Sequence, residues 1–254
     1  MAFLDLFSLK GKNALVTGSS QGLGAGMAIA FAQAGANVTL HGRSSVADST
    51  VDEVRKTGVN FISVTGDVCD PDVCTRLVDE TVKAFGSIDI LVNNAGTIRR
   101  APAAEHSQEF WLSVIETNLN SVFRLSQYAG TKMLAQGSGK IINIASMLTF
   151  QGGILVPSYA AAKGAVGQLT KALANEWAAK GVNVNAIAPG YMETANTAPL
   201  RADEERSKAI LSRIPAGRWG MPSDMAGAAV FLASAASDYI HGHILVVDGG
   251  WLCR

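Results

Sequence analysis

Three side chains near the middle of the chain could act together on one hydroxyl or carbonyl group. Ser146 follows an apolar run, residues 140–145, that we predict to be a strand. Tyr159 and Lys163 lie four positions apart on a predicted helix, and we expect Ser158 to be its N-cap. Positions four apart share one face of a helix, with Cβ atoms roughly 5–6 Å apart. The spacing therefore predicts that both side chains can face one substrate oxygen.

The chemistry of this group depends on the pKa of the tyrosine. A tyrosine acts as an acid or base near neutral pH only if its pKa falls from about 10 to about 7, which requires about 4 kcal/mol. One ammonium group about 4 Å away supplies that much at an effective dielectric constant of about 20, whereas burial alone acts in the opposite direction. We therefore expect Lys163 to lower the pKa of Tyr159, and Ser146 to hydrogen-bond the same oxygen. An amphipathic helix with a surface lysine would have the same spacing, so the rest of the chain must decide.

The composition predicts one large domain over residues 1–254. Of the 254 residues, 48% are hydrophobic and 17% are charged, and 26 are glycines, as expected for buried strands joined by tight turns. The formal net charge of zero gives no indication of a nucleic-acid or membrane partner. We see no signal peptide and no membrane span.

The cysteines and histidines do not form a recognisable metal site. Cys69, Cys74 and Cys253 have neither metal-ligand nor Cys-x-x-Cys spacing, and His241 and His243 lack a third ligand. Three free thiols indicate a reducing compartment. We therefore predict a cytoplasmic protein without a bound metal.

Short β-branched runs alternate with helical patterns, which predicts an α/β fold with a doubly wound parallel sheet flanked by helices. The predicted strands are 13–17, 37–41, 60–65, 88–92, 140–145, 182–187 and 243–247. The predicted helices besides that of Tyr159 are 23–34, 48–57, 71–85, 107–135 and 222–234. In such sheets, ligands bind beyond the carboxyl ends of the strands.

The first strand leads directly into a glycine-rich turn, Thr17-Gly-Ser-Ser-Gln-Gly-Leu-Gly24. Glycine lets the backbone approach a pyrophosphate, and the N-terminus of the following helix faces its negative charge. Tight turns need glycine for other reasons too. Because this turn lies between a first strand and an apolar helix, it favours a dinucleotide site.

The end of the second strand bears on which dinucleotide is bound. An acidic residue there would bind the 2′-hydroxyl of NAD, whereas an arginine accommodates the 2′-phosphate of NADP. The segment is His41-Gly-Arg-Ser44, which has no acid. Gln21, in the glycine turn, adds no second positive charge. Arg43 therefore favours NADP over NAD, unless it is only a solvated turn residue.

Polar segments follow the later strands at the same edge of the sheet. The fourth strand continues into Asn93-Asn-Ala-Gly96, which we expect to line the cofactor cleft. Arg99, Arg100 and Arg218 could each bind a substrate carboxylate or remain solvated. Arg218 belongs to a polar segment, residues 191–221, that we predict to be a mobile lid.

Asn118 interrupts the apolar pattern of the predicted helix over residues 107–135. A buried asparagine needs hydrogen-bond partners. It is either a satisfied core amide or the holder of a water molecule that relays protons.

Together these motifs resemble the classical short-chain dehydrogenase/reductase family over essentially the whole chain. The matching elements are Thr17-Gly-x-x-x-Gly-x-Gly24, Asp67, Asn93-Asn-Ala-Gly96, Asn118, Ser146, Tyr159-x-x-x-Lys163 and Pro189-Gly190. The resemblance implies a Rossmann fold with strand order 3-2-1-4-5-6-7 and an NAD- or NADP-dependent reaction. It also implies a proton relay through Asn118, binding of the nicotinamide ribose by Lys163, and a homotetramer.

Within the family, several cleft and lid segments are similar to those of members that act on gluconate-type sugar acids. These segments are residues 93–100, 141–153, 200–206, 213–220 and 248–251, and the departure from them is His41-Gly-Arg43. We therefore predict reversible oxidation of a secondary alcohol on a sugar acid. Two alternatives stay open: a reductase of acyl-thioester ketones on the same scaffold, and a catalytically idle dinucleotide-sensing scaffold.

The candidate site residues fall into three groups. We predict that the catalytic residues are Asn118, Ser146, Tyr159 and Lys163. Those predicted to contact the cofactor are Gly18, Ser20, Gln21, Gly22, Leu23, Arg43, Asp67, Val68, Asn94, Ala95, Gly96, Tyr159, Lys163, Pro189, Gly190, Met192 and Thr194. Those predicted to contact the substrate are Arg99, Arg100, Ser146 and Arg218.

Overall fold

A computed structural model of the protein describes residues 2–254, and its centre is a parallel sheet. The strands are β1 (Asn13–Val16), β2 (Asn37–Gly42), β3 (Phe61–Thr65), β4 (Ile90–Asn93), β5 (Gly139–Ile144), β6 (Val182–Pro189) and β7 (Ile244–Val247). Their order is β3-β2-β1-β4-β5-β6-β7, and every neighbouring pair is parallel. The predicted fold class and strand order are confirmed, and strand boundaries differ from the prediction by at most two residues.

Nine α-helices of the described chain surround this sheet. They are α1 (Gly22–Gln33), α2 (Asp48–Arg55), α3 (Pro71–Phe85), α4 (Gln108–Ile115), α5 (Ser121–Gln136), α6 (Pro157–Trp177), α7 (Ala198–Ala202), α8 (Glu204–Leu211) and α9 (Ala226–Ala233).

The strands supply two hydrophobic cores, one on each face of the sheet. Successive strand residues point to opposite faces. Val16 accordingly lies in one core with Phe31 of α1, whereas its neighbour Leu15 lies in the other core with Leu77 of α3 and Leu125 of α5. Burial on both faces explains why these strands are nearly continuous apolar runs. The functional side chains are consequently confined to the carboxyl edge.

The segment predicted as one helix over residues 107–135 is helical throughout most of its length but not uniform. Between α4 and α5 lies a π-helical turn, Glu116–Asn120, which contains Asn118. Such turns are rare and occur frequently at functional sites. Sequence periodicity did not reveal it, because one wider turn barely disturbs an apolar stripe.

The prediction that Ser158 caps the catalytic helix is wrong. The helix begins at Pro157, with Val156 as N-cap. Proline suits the first helical position because its φ is already helical and no N–H needs a partner there. Ser158 instead lies fully buried in the first turn, where its Oγ is 2.9 Å from Nε2 of His106.

The segment predicted as a lid, residues 191–221, contains two short helices, α7 and α8, rather than one. Most of its residues between 195 and 209 are exposed. Its two ends are tied together, because Glu193 N donates to Gly220 O (2.7 Å) and Gly220 N donates to Tyr191 O (2.9 Å). The lid is therefore a closed loop rooted at the end of β6, and its mobility stays a prediction.

The apolar C-terminal tail packs against the base of this lid. Trp251 is buried, with its ring centroid 4.7 Å from that of Tyr191 and 3.9 Å from the guanidinium carbon of Arg213. The tail therefore helps to fix the end of β6 within one chain.

Two findings on residues 2–254 concern membranes and metals. None of the helices there has both the length and the apolar character needed to cross a bilayer. The same part of the chain contains no group of three or more His, Cys, Asp or Glu side chains arranged to hold a metal ion.

Candidate active site

In the glycine turn between β1 and α1, backbone conformation or lack of space favours glycine at three positions. Gly18 and Gly22 have φ of +63° and +60°, in the left-handed region that favours glycine. A Cβ atom on Gly24 would lie 2.3 Å from Gly18 O and 2.5 Å from Asn94 Nδ2. Position 24 therefore has no space for a side chain, and the last residues of the turn, 22–24, are already the first turn of α1.

The end of β4 is bound tightly to this turn. The Thr17 hydroxyl accepts hydrogen bonds from the N–H groups of Asn94 (3.0 Å) and Ala95 (3.1 Å) and donates to Val92 O (3.2 Å). The Asn94 amide donates to the carbonyl oxygens of Thr17 (2.8 Å) and Gly18 (3.1 Å). The predicted residues of the first and fourth strand ends thus form one unit.

The ends of β2 and β3 form the side of the cleft predicted to bind the adenosine. Arg43 and Asp67 are exposed there, and Val68 is buried. A hydrogen bond from the backbone N–H of Cys69 is the largest cause that lowers the pKa of Asp67, and the positive charge of Arg43 contributes. Arg43 and Asp67 are therefore electrostatic neighbours at the position that distinguishes NAD from NADP.

The end of β6 closes the other side of the glycine turn. Pro189 is the last residue of this strand, and the Gly190 N–H donates to Val247 O (2.9 Å). A Cβ atom on Gly22 would lie 3.7 Å from the Thr194 methyl group, so the entry to the lid faces the start of α1. Met192 is buried beside Gly220. The structure thus brings Thr194 to the glycine turn, while Pro189 and Gly190 adjoin β7 and Met192 adjoins Gly220.

These observations fit a bound dinucleotide. The closed glycine turn, the N-terminus of α1 and the polar end of β4 would hold the pyrophosphate. Arg43, Asp67 and Val68 would contact the adenosine half. The nicotinamide half would then lie toward the carboxyl ends of β5 and β6, where the three reactive side chains are.

Ser146 and Lys163 are joined through Thr149, a residue that sequence reasoning did not select. The Thr149 hydroxyl accepts from Ser146 N (3.3 Å) and donates to Lys163 O (2.9 Å). The Ser146 hydroxyl accepts from Leu148 N (3.2 Å). The sequence signal that could have selected Thr149 is its position three residues after Ser146, which is the spacing of a hydrogen-bonded turn.

The structure corrects the expected pKa of Tyr159. Burial raises the pKa of its phenol, and the hydrogen bond with Ser146 and the positive charge of Arg100 offset this only in part. Lys163 Nζ lies 5.7 Å from the centroid of the Tyr159 ring and donates to Ile144 O (2.5 Å). Burial lowers the pKa of Lys163 itself to about 8. In this arrangement the ammonium of Lys163 is bound to Ile144 O and burial raises the pKa of the phenol, so the expected lowering of the Tyr159 pKa by Lys163 is not met here.

Asn118 is a fully buried amide whose two ends are satisfied by one residue. Its Oδ1 accepts from Thr97 N (2.8 Å) and its Nδ2 donates to Thr97 O (2.8 Å). The side chain thus fixes the backbone just after Gly96. Of the two alternatives left open by the sequence, the satisfied amide is what the hydrogen bonds describe, and the relay stays a prediction.

The three candidate arginines have different surroundings. Arg100 is exposed, and its Nη2 donates to Asn196 O in the lid (3.1 Å). Arg99 places its guanidinium 5.8 Å from the centroid of the Phe110 ring. Arg218 forms two hydrogen bonds with Asp224, at 2.6 and 2.9 Å. Arg100 is therefore the only one of the three whose charge acts on Tyr159.

Asn93 does not line the cleft, contrary to the expectation for the Asn93–Gly96 segment. It is buried at the end of β4, where its Nδ2 donates to Ser126 Oγ (3.0 Å) and Asn143 Oδ1 (2.9 Å). Its position in the strand places it within the interior, and the following residue, Asn94, reaches the glycine turn. Alternation along a strand explains the difference.

A doubly wound sheet with a glycine turn at its first βα junction and a serine–tyrosine–lysine group beyond its fifth strand defines an oxidoreductase that uses a nicotinamide dinucleotide. The model of the family described as Enoyl-(Acyl carrier protein) reductase matches residues 18–252. A 2-dehydro-3-deoxy-D-gluconate 5-dehydrogenase from Pseudoalteromonas atlantica is 57% identical over 253 residues, which cover 99% of this chain and 100% of that protein. The chain belongs to the short-chain dehydrogenase/reductase family.

Two solved structures are similar over nearly the whole chain. One is a provisionally assigned 2-deoxy-D-gluconate 3-dehydrogenase from Agrobacterium tumefaciens with bound NADP (TM-score 0.93, 56% identity, 98% of this chain and 100% of that chain). The other is a gluconate 5-dehydrogenase from Burkholderia cenocepacia in complex with NADP and tartrate (TM-score 0.94, 40% identity, 99% of each chain).

Proposed function

We propose that the protein is an NAD(P)-dependent oxidoreductase that interconverts a secondary alcohol and a ketone on a sugar acid. The specific activity we propose is that of a 2-dehydro-3-deoxy-D-gluconate 5-dehydrogenase, in hexuronate or gluconate catabolism. The observation that supports it most is the 57% identity to an enzyme of that name over its full length. The grouping of Ser146, Tyr159 and Lys163 at the end of β5 and the start of α6 supports the reaction type.

NADP is the cofactor we favour, with NAD as the alternative. Arg43 is exposed at the end of β2, and this segment has no acidic residue. The two similar solved structures with bound NADP agree with this preference. The nicotinamide, when bound, would supply the hydride chemistry.

The residues of the chain handle the proton and the developing charge. Tyr159 gives or takes the hydroxyl proton, and Ser146 stabilises negative charge on the same oxygen. Because burial raises the pKa of Tyr159, its phenol is protonated at neutral pH and is ready to donate to a ketone. Oxidation of the alcohol requires the phenolate and should gain rate as the pH rises.

The substrate carboxylate would bind Arg100. Its guanidinium is exposed near Tyr159 and touches the lid at Asn196. An arginine fork can bind a carboxylate through two parallel hydrogen bonds. Arg218 is less suited, because Asp224 already occupies two of its nitrogens.

A reductase of acyl-thioester ketones is the second candidate, and a solved 3-oxoacyl (acyl-carrier-protein) reductase with bound NADP, 32% identical to this chain, supports it. An idle dinucleotide-sensing scaffold is disfavoured, because the chain retains Asn118, Ser146, Tyr159 and Lys163 together.

The test is a spectrophotometric screen with both cofactors. Substrates are a panel of 3-deoxy-2-keto sugar acids, gluconate and a ketoacyl thioester. We expect turnover with a sugar acid, and a higher kcat/KM with NADP than with NAD. Activity confined to the thioester would support the second candidate. The absence of both NAD(P)H formation with the alcohols and NAD(P)H consumption with the ketones of the panel would contradict the proposal.

We also infer a cytoplasmic homotetramer. Large apolar side chains are exposed on the helices between β4 and β5, at Trp111, Leu112 and Phe123, and on the edge strand β7 at Val246. Exposed apolar side chains grouped on a surface are typical of contacts between subunits. Light scattering coupled to size-exclusion chromatography tests the oligomeric state, and a monomeric or dimeric mass would contradict a tetramer.

A further inference from the structure

One buried histidine joins the glycine turn to the end of the third strand. His41 lies at the end of β2 and is 2% exposed. Its Nδ1 is 3.0 Å from the N–H nitrogen of Gly18, and its Nε2 is 2.9 Å from Gly66 O. The imidazole thus lies between the segment that would hold the pyrophosphate and the segment that leads to Asp67.

The two partners fix the protonation of the ring. A backbone N–H can only donate, so Nδ1 accepts from Gly18 and has no proton. A backbone carbonyl can only accept, so Nε2 has the proton and donates to Gly66. Only the neutral imidazole satisfies both bonds. A second proton on Nδ1 would face the N–H of Gly18.

The bond to Gly18 belongs to a set that anchors three consecutive turn residues. The Ser19 hydroxyl accepts from His41 N (2.8 Å). The Ser20 hydroxyl accepts from Ala47 N (2.9 Å), and its carbonyl accepts from the Thr50 hydroxyl (2.9 Å). The left-handed Gly18 is therefore held in place before any ligand binds. A binding loop that is already ordered does not lose conformational entropy on association.

We propose that His41 is a positioning residue for the dinucleotide, holding Gly18 in the conformation that receives the pyrophosphate. The proposal rests on the proposed use of a dinucleotide at the glycine turn. Without the acceptor, the Gly18 N–H would be buried without a partner or would turn toward water. The turn would then have to be reordered on binding, which raises the Kd of the cofactor and leaves kcat at saturating cofactor unchanged.

The charges around the ring oppose one another. Asp67, next to the Gly66 carbonyl, favours the protonated imidazole, while Arg76 on α3 opposes it, and Arg43 lies near Asp67. Burial is the largest effect and lowers the pKa of His41. The neutral ring therefore persists through the neutral range, and its loss is confined to acid pH below its ordinary pKa of about 6.5.

Three substitutions separate the two bonds of the ring. In His41→Asn, the amide oxygen occupies the position of Nδ1 and can accept from Gly18. In His41→Gln, the amide nitrogen occupies the position of Nε2 and can donate to Gly66. His41→Leu removes both bonds. Calorimetric titration with NADP should give a Kd raised about tenfold in His41→Leu and in His41→Gln, and within about twofold of the parent in His41→Asn.

The matched control is Thr81→Val. Thr81, on α3, is fully buried, and its hydroxyl donates to Thr39 Oγ1 (2.8 Å). Thr39 lies on β2, the strand that also contains His41, so the substitution removes a buried hydrogen bond away from the glycine turn. We expect it to lower the melting temperature without changing the Kd. Equal Kd values for the parent and for His41→Gln would overturn the proposal, as would a raised Kd in Thr81→Val matching that of the His41 variants.

A pH series with NAD, which lacks the titrating 2′-phosphate, gives a second readout. The Kd of the parent should rise as the pH falls below about 6.5, and that of His41→Asn should stay level. Tighter binding by the parent at acid pH would overturn the proposal. A parent protein that binds neither dinucleotide would instead refute the proposed function itself.

Discussion

The two walls of the cleft are built in contrasting ways. On the cofactor side, the turn after β1 is closed by backbone and side-chain hydrogen bonds from the ends of β2 and β4, and Gly24 has no space for a methyl group. On the side predicted to cover the substrate, most residues between 195 and 209 are exposed. Arg100 there reaches the lid through one hydrogen bond to Asn196.

The rigid turn suits the dinucleotide, which is the same in every turnover, and the exposed segment suits a substrate that must enter and leave. A dinucleotide has the same shape in every turnover, so a preformed turn lowers the entropy lost on binding. A substrate must enter and leave, so the elements that cover it need low local stability. Tyr159 is half-buried in the first turn of α6.

The largest expected effect comes from Tyr159→Phe, which removes the phenol hydroxyl and its proton. The glycine turn and the segment over residues 195–209 should keep their structure. We expect kcat to fall by about 10²–10⁴-fold, the usual size of a general acid–base contribution, with little change in the Kd of NADP. Steady-state kinetics and calorimetry measure the two quantities. Tyr239→Phe, at a fully exposed tyrosine, is the control. Turnover close to that of the parent would remove Tyr159 from the mechanism.

Gly24→Ala breaks the cofactor wall. The new methyl group would overlap Gly18 O and Asn94 Nδ2, so we expect the free energy of unfolding to fall by about 1–3 kcal/mol and the Kd of NADP to rise. Gly227→Ala is the matched control, because no atom lies within 4 Å of its Cβ position. It should raise stability by about 0.4–1 kcal/mol. Denaturant titration compares them, and equal effects would mean that the turn is not closed.

Lys163→Met tests the buried ammonium at the boundary between the walls. Burial lowers the pKa of Lys163 to about 8, against about 10.4 in an unfolded chain. Between these values the unfolded chain binds more protons than the native protein, so native stability rises with pH, by at most about 3 kcal/mol. Urea unfolding of both proteins across this window should show a rise in the parent that the variant lacks. Parallel pH curves would contradict the lowered pKa.

The smallest effect belongs to the substrate wall. Arg100→Ala should raise KM about tenfold for a sugar acid, because a charge-assisted hydrogen bond is lost, and should change KM little for a neutral ketone. Arg218→Ala is the control: its guanidinium pairs with Asp224, so the KM should stay unchanged. An equal increase for acids and neutral ketones would argue against a carboxylate clamp at Arg100.

The sequence by itself determined the order of the elements and the types of residue at the carboxyl edge. Apolar runs buried on both faces, glycines at a strand–helix junction and the Tyr159–Lys163 spacing are local patterns, and local patterns survive into the fold. The strand order followed from the family resemblance. One local error, at Ser158, arose because Pro157 competes for the helix start and the sequence does not show which residue prevails.

Only the tertiary structure decided how distant segments affect one another. The pKa of Tyr159 depends on burial by surrounding elements, so the distance to Lys163 along one helix could not predict it. Thr149 and His41 each join segments that are separate in the chain, through hydrogen bonds to Lys163 O and from Gly18 N. Asn93 and Asn94 are neighbours in sequence, yet one enters the core and the other reaches the glycine turn, since the strand sends successive side chains to opposite sides.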